Sequence, residues 1–121
     1  MANLLYQARA GDGFRKRGLK RDTYFRSAED AISEVLALKE KMDSKYNNEI
    51  AWDYAGEITG NTDKMKILKG YLGGDKKTDP FFLQIVSIEE NDTANVDKPI
   101  HPKKISTKDK KVMNKAIKLF K

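Results

Sequence analysis

The amino-acid sequence predicts an α+β domain in which a small antiparallel sheet of three to five strands, beginning with an N-terminal β-hairpin, packs on one long helix. Three patterns support this class. Apolar residues alternate near the start and again around 50–58, the stretch 27–46 has helical spacing, and a basic amphipathic helix follows at about 107–120. With 121 residues, the chain has the size of one domain.

The first predicted element is a β-hairpin. Residues 3–10 alternate in a way that indicates a half-buried strand. Gly11, Asp12 and Gly13 interrupt this pattern, and a second extended segment covers about 19–26. The tip between the two strands is basic and contains Arg15, Lys16 and Arg17.

A helix over about 27–46 is the clearest element. Ser27 is a favourable N-cap, and Asp30 complements the positive end of the helix dipole. An apolar stripe at helical spacing follows it. Asn47 and Asn48 provide a stop, because asparagine tolerates the left-handed conformation at a helix end.

The middle of the chain contains further strands. Residues 49–59 alternate cleanly and predict a strand with one solvated face. Residues 63–72 fit a short helix or a strand paired with its predecessor, and the two glycines at 73–74 favour the helix as its stop. Residues 81–88 are apolar on both faces, which is typical of a central strand.

The C-terminal part has two sections. Residues 89–105 contain two prolines and no periodicity, which indicates a loop or tether. Ser106 and Asp109 form a capping-box pattern at the start of a lysine-rich helix. We therefore expect a core domain at 1–88, a tether at 89–105, and a helix at 106–121 that packs on the core.

Composition excludes several function classes. The chain has no cysteine, so disulfides, thiolate catalysis and cysteine-ligated zinc are excluded. It has one histidine, His101, with no neighbour in sequence to orient it as a base. No apolar run reaches the roughly 20 residues of a membrane helix, and the start shows no secretory signal. We expect a non-enzymatic cytoplasmic protein without cofactor, metal or membrane contact.

Carboxylates provide the remaining route to catalysis. Asp53 and Glu57 share one face of a predicted strand, and Glu89, Glu90 and Asp92 cluster at the end of another. Either group has the oxygen ligands that Mg²⁺ prefers. In a chain with 35% charged residues such groups also arise by chance. A metal-dependent nuclease is therefore a third hypothesis, behind two binding functions.

Charge is distributed unevenly along the chain. The net charge is +5 over residues 1–26, −7 over 27–97 and +8 over 98–121, and all five arginines lie between Arg9 and Arg26. A guanidinium group fits a phosphate or a guanine edge better than an ammonium group does. The basic ends favour a polyanionic partner, although they would equally suit a solvated hairpin that keeps the protein soluble or a contact with the acidic middle.

These features predict a regulatory or accessory nucleic-acid-binding protein, with double-stranded DNA as the leading ligand. The hairpin would position the duplex, the C-terminal helix would capture it, and a homodimer would double the contacts on a two-fold site. The candidate residues are Arg9, Arg15, Lys16, Arg17, Lys20, Arg21, Tyr24, Arg26, Lys108, Lys111, Lys115 and Lys118. The alternative is a protein–protein interaction module, such as an inhibitor or assembly factor of a phage or mobile element, that docks through its acidic middle or its C-terminal helix.

One resemblance to a known family adds to this reading. A strand, a basic hairpin, and a strand ending in Phe25 precede Ser-x-x-Asp-Ala at 27–31, where a helix opens. This order, over roughly residues 4–40, resembles the arm-type DNA-binding domains at the front of tyrosine recombinases. The resemblance implies a small antiparallel sheet, backed by one helix, that reads the major groove. The chain lacks the third strand of that pattern before the helix, and it has no recombinase catalytic domain.

Overall fold

Eight elements follow one another in a computed structural model that describes residues 4–12, 17–19, 23–56, 58–60, 63–77 and 79–120. They are β1 (Leu4–Asp12), β2 (Arg17–Leu19), α1 (Ala28–Lys45), β3 (Ile50–Trp52), β4 (Thr59–Gly60), β5 (Lys64–Leu72), β6 (Phe81–Glu89) and α2 (Thr107–Leu119). The sheet order is β2-β1-β6-β5-β3, and the two-residue β4 pairs with β5 off this path. The predicted α+β class, with its N-terminal hairpin, antiparallel sheet and two helices, is confirmed.

Strand β6 lies at the centre of the sheet, where its apolar residues predict it. It pairs antiparallel with β1 on one side and with β5 on the other. Strand β2 pairs with the far end of β1, from Ala10↔Leu19 to Asp12↔Arg17. The second strand therefore begins earlier than the predicted 19–26, and Phe25 forms an isolated bridge with Tyr6.

Both helices lie against the sheet on the same side. The amide of Asp30 donates to the Ser27 hydroxyl at 3.1 Å, so the predicted N-cap of α1 is in place. Asn47 and Asn48 end the helix with φ angles of 56° and 61°. Val112 and Ala116 of α2 join the core that α1 forms with the sheet. Neither helix among the described residues is long and apolar enough to cross a membrane.

The helix favoured for residues 63–72 is wrong, because this segment is strand β5. Gly73 and Gly74, with φ angles of 63° and 75°, form a tight turn in which the Asp75 amide donates to the Leu72 carbonyl at 3.2 Å. Two consecutive positive φ angles belong to a turn of the hairpin type. The glycines therefore end a strand. The alternative prediction for residues 63–72, a strand paired with its predecessor, is confirmed.

The predicted strand at 49–59 is interrupted. Ile50–Trp52 pairs with the end of β5, and Thr59–Gly60 pairs near its start. Between them the Asp53 carboxylate accepts from the Ala55 amide at 3.2 Å, and the Gly56 amide donates to the Asp53 carbonyl at 3.3 Å. An aspartate-capped turn thus replaces the middle of the strand, which alternation alone does not reveal.

The segment expected to be a loop or tether, 89–105, is held along α1 by side chains of that helix. The buried Glu34 carboxylate accepts from the Ile100 amide at 3.0 Å. Glu40 accepts from the amides of Lys103 and Lys104 at 2.9 and 3.1 Å. These bonds pair main-chain N–H groups that would be hydrogen-bonded to water if the segment were a free tether.

Candidate nucleic-acid interface

The two faces of the sheet differ in what covers them. Successive side chains of a strand point to opposite faces, and directly paired residues share a face. The face under the helices contains Ala8, Leu83 and Ile85, which belong to the main hydrophobic core. Leu5 and Val86 are also buried but lie outside that core cluster, as expected for residues on the opposite face.

The opposite face carries polar and cationic side chains in rows across β1, β6 and β5. Arg9 pairs with Gln84, and Gln84 pairs with Lys66, so these three side chains form one cross-strand row. In the next row, Phe82 pairs with Gly11 on one side and with Lys69 on the other. We call this surface the basic sheet face and define it by Arg9, Lys66, Lys69, Phe82 and Gln84.

Local contacts fix the side chains of the basic sheet face. Arg9 Nε donates to Gln7 Oε1 at 2.8 Å, which orients the guanidinium group. The Lys66 ammonium lies 4.6 Å from the centre of the Phe82 ring. The same ring lies so close over Gly11 that a methyl group there would overlap it. The glycine thus leaves room for the ring, and the ring helps to position a neighbouring cation.

The side chains that β1, β5 and β6 contribute to the basic sheet face are one-sided in charge, although Asp53, whose amide donates to the Lys69 carbonyl at 2.8 Å, lies beside Lys69 on the outer side of β5. Among the described residues of β1, β5 and β6, no acidic side chain falls on this face. Arg9, Lys66 and Lys69 also have no described carboxylate within ion-pair distance. All five side chains that define the face are partly exposed. The arrangement therefore offers cations and amide groups to a ligand with negative charge.

The structure separates the arginine-rich residues predicted to bind nucleic acid. Arg9 lies on the basic sheet face, whereas the exposed Arg26 pairs with Glu90 at 2.6 Å. Tyr24 is half-buried, and its amide donates to the Asn95 carbonyl at 2.7 Å. Arg17 lies on β2, opposite Asp12. The other predicted hairpin residues lie outside the described residues, namely Arg15, Lys16, Lys20 and Arg21.

The predicted lysines of α2 are exposed but lie on the helix side of the sheet. The four are Lys108, Lys111, Lys115 and Lys118. Helix α2 packs on α1, and its Phe120 end makes an edge-to-face contact with Tyr6, with ring centres 5.6 Å apart. Lys108, Lys111 and Lys115 line a cleft that none of the residues defining the basic sheet face lines.

The only acidic residue of α2 points into the protein. The amide of Asp109 donates to Ser106 Oγ at 3.0 Å, but its carboxylate does not complete the predicted capping box. Instead, Tyr54 donates to that carboxylate at 2.6 Å, and the Lys39 ammonium lies 3.3 Å from it. Lys39 also contacts Asp43 at 3.3 Å, and Asp43 accepts from Trp52 Nε1 at 2.8 Å.

Two pKa values reflect this buried network. Burial by itself lowers the pKa of Lys39, but the carboxylates of Asp109 and Asp43 raise it above its ordinary value of 10.5. Burial and the hydrogen bond to Asp109 raise the pKa of Tyr54 above 10.0. The network therefore favours a charged lysine and a neutral tyrosine. Both groups stabilise the fold. Because they hold the Asp109 carboxylate inside the protein, the charged side chains on the outer side of α2 are all lysines.

Four of the five residues that define the basic sheet face were not predicted from the sequence. Lys66, Lys69, Phe82 and Gln84 were not among the predicted residues. The available signal was the alternation of Lys64 and Lys66 with Met65. It becomes visible once 63–72 is read as a strand antiparallel to 81–88, because that pairing places the lysines beside Phe82 and Gln84.

The groups considered for catalysis are dispersed or engaged elsewhere. Within the part of the chain that the structure describes, no three His, Asp or Glu side chains form a group that could hold a metal ion. Glu57 lies outside the described residues. His101 Nδ1 lies 2.6 Å from Ser33 Oγ, a contact that joins the 89–105 segment to α1.

Comparison of the chain with family models, with curated proteins and with solved structures finds no match.

Proposed function

We propose that this protein binds double-stranded DNA, in a regulatory or accessory role and without enzymatic activity, through the basic sheet face. The observation that supports the proposal is the cross-strand row of Arg9, Gln84 and Lys66, with Lys69 in the next row and no acidic residue among those that β1, β5 and β6 contribute to this face. Cations in fixed rows on a rigid sheet suit a ligand whose negative charges are regularly spaced.

The side-chain chemistry favours a duplex. Arginine and lysine donate to phosphate oxygens or to the acceptor edge of guanine, and glutamine can pair with the edge of adenine. Arg9 and Gln84 are neighbours in one row, so a charge-bearing and a base-reading group lie side by side. Strand β2, which contains Arg17, pairs with the far end of β1, the strand of Arg9.

The size of the surface also fits. Neighbouring strands lie about 4.8 Å apart, so β1 and β5, on either side of β6, are separated by about 10 Å. The major groove of B-DNA is about 12 Å wide. The groove admits a two-stranded ribbon, so β1 and β6, which carry Arg9 and Gln84, would enter it, with the lysines on β5 towards one phosphate strand.

A salt titration tests the proposal. Binding of fluorescent duplex and single-stranded oligonucleotides would be followed by anisotropy between about 50 and 200 mM salt. The test variant is Arg9→Gln/Lys66→Gln/Lys69→Gln. The matched control is Lys41→Gln/Lys76→Gln/Lys77→Gln, which removes the same charge from exposed positions outside the basic sheet face.

If each of the three cations neutralises one phosphate, the test variant should lower the slope of log K against log salt by about 2.7, at ~0.9 per contact. The control should change the slope by less than ~1. Tighter binding of the duplex than of the single strand is expected. Absence of binding at low salt, equal losses in both variants, or preference for the single strand would contradict the proposal.

A further inference from the structure

A cleft on the helix side of the molecule is separate from the basic sheet face. It lies between α2 and the turn that follows β3, with a volume of about 430 Å³. Its apolar lining comes from Ile58, Ile67, Leu68 and Val112, and its rim carries Tyr54, Lys108, Lys111 and Lys115. An apolar floor with a cationic rim indicates a ligand that is both apolar and negatively charged.

The rim lysines are exposed and form a row along one helix. Lys108 and Lys115 are seven positions apart in sequence, which corresponds to about 10 Å at 1.5 Å per residue. The Lys108 ammonium lies 5.6 Å from the centre of the Tyr54 ring, so the aromatic side chain fixes one end of the row. Because Asp109 turns inward to Lys39 and Tyr54, it does not neutralise the row.

The length of the lysine row on α2 distinguishes between classes of anionic ligand. A fatty acid or another single-headgroup anion places its charge at one point and would use one or two of these lysines. A nucleic-acid backbone offers distributed charge but no aliphatic groups for the floor formed by Ile58, Leu68 and Val112. A peptide segment with spaced Asp or Glu residues and apolar side chains between them satisfies both parts of the cleft.

We propose that this cleft binds an acidic, amphipathic peptide segment of a protein partner. Carboxylates of the peptide would pair with Lys108, Lys111 and Lys115, and its leucine-like side chains would cover the apolar floor. The site does not depend on DNA binding, since none of the residues that define the basic sheet face lines the cleft. A protein that engages both would bring a partner to a duplex.

Two charge reversals on the same helix test the site. The probe is a fluorescein-labelled synthetic peptide with leucine on one helical face and glutamate on the other, and its affinity would be measured by anisotropy. The test variant is Lys111→Glu/Lys115→Glu. The control is Lys110→Glu/Lys118→Glu, which makes the same change at exposed α2 positions outside the cleft lining. Circular dichroism would verify that both variants retain their helices.

We expect the test variant to weaken peptide binding about tenfold or more, and the control to weaken it less than about threefold, because screened surface charges away from contact contribute little. The partly exposed Ile58, changed to Ser, should also weaken the peptide, and a glutamate–serine peptide should bind less well than the leucine peptide. Equal effects of the two charge reversals would overturn the site, as would failure of the leucine peptide to bind the wild-type chain.

Competition distinguishes other occupants. If decanoate displaces the peptide at a lower concentration than an unlabelled copy of the peptide does, the cleft is a site for single-headgroup lipids and the proposal is overturned. Displacement by duplex DNA would assign it to nucleic acid, with the same consequence. We expect the Arg9→Gln/Lys66→Gln/Lys69→Gln variant to bind the peptide as the wild-type chain does. Loss of DNA binding by that variant would therefore leave the peptide site intact.

Discussion

Lys39 and Lys66 lie on opposite sides of one sheet and show how differently it uses the same side chain. Lys39 is buried beneath β3, within 3.3 Å of both Asp43 and Asp109. Lys66 is half-exposed beside the Phe82 ring and has no described carboxylate within ion-pair distance. The first ammonium is compensated by the fold, and the second is available to a ligand.

The comparison teaches that basic residues have to be sorted by partner before they are assigned a function. The net charge of +6 counts Lys39, Arg26 and Lys66 alike. In the structure Lys39 supports the core, Arg26 pairs with Glu90, and Lys66 lies on the basic sheet face with no described carboxylate within ion-pair distance. Only a cation like Lys66, which has no ion-pair partner among the described residues, can bind a ligand without first breaking an ion pair.

The largest expected effect is the loss of stability when the buried network is broken. Asp109→Ala leaves the Lys39 ammonium with one carboxylate fewer and removes the acceptor of the Tyr54 hydroxyl. We expect the free energy of unfolding to fall by about 3 kcal/mol, as for other broken buried pairs. Urea denaturation followed by circular dichroism measures this loss.

The matched control is Lys66→Gln, which removes a cation of the same kind from the basic sheet face. Its unfolding free energy should change by less than about 1 kcal/mol, because a partly exposed lysine with no ion-pair partner loses only its contact with the Phe82 ring. Similar losses for Asp109→Ala and Lys66→Gln would remove the distinction between the two sides of the sheet.

A smaller effect is expected at alkaline pH. The pKa values of Lys39 and Tyr54 are both raised in the folded chain, so folding retains protons that the unfolded chain releases. Their stabilising contribution is complete below the unfolded values of about 10 and is lost as pH rises through the folded values. Unfolding free energy should therefore fall above about pH 10.

The variant Lys39→Met/Tyr54→Phe removes both titrating groups and serves as the comparison. Its unfolding free energy should depend less steeply on alkaline pH than that of the wild-type chain. The same or a steeper dependence in the variant would show that other groups control the alkaline transition.

Much of the fold could be predicted from local sequence. Ser27 and the pair Asn47 and Asn48 locate the ends of α1 because caps have clear side-chain chemistry. The run that forms β6 predicts a central strand because it is apolar on both faces. The segment 63–72 could not be decided, since Gly73 and Gly74 can end a helix or form a hairpin turn, and long-range pairing with β6 made the choice.

The candidate site was less accessible to prediction. Arg9 was recognised by residue type alone, whereas its neighbours Gln84 and Lys66 come from strands more than 50 positions further along the chain. Which residues share a face depends on register, and the irregularity between Lys66 and Leu68 shifts that register by one residue. Likewise, the capping pattern at Asp109 did not indicate that its carboxylate would turn to Lys39.

Photocrosslinking from a single position tests the account most directly. A photoreactive phenylalanine analogue would replace Gln84, in the centre of the basic sheet face, or Asn114, an exposed residue of α2. Illumination with labelled duplex DNA at low salt should give a crosslinked product from position 84 and little from position 114. Crosslinking from position 114 with none from position 84 would place the duplex on the helix side and contradict the account.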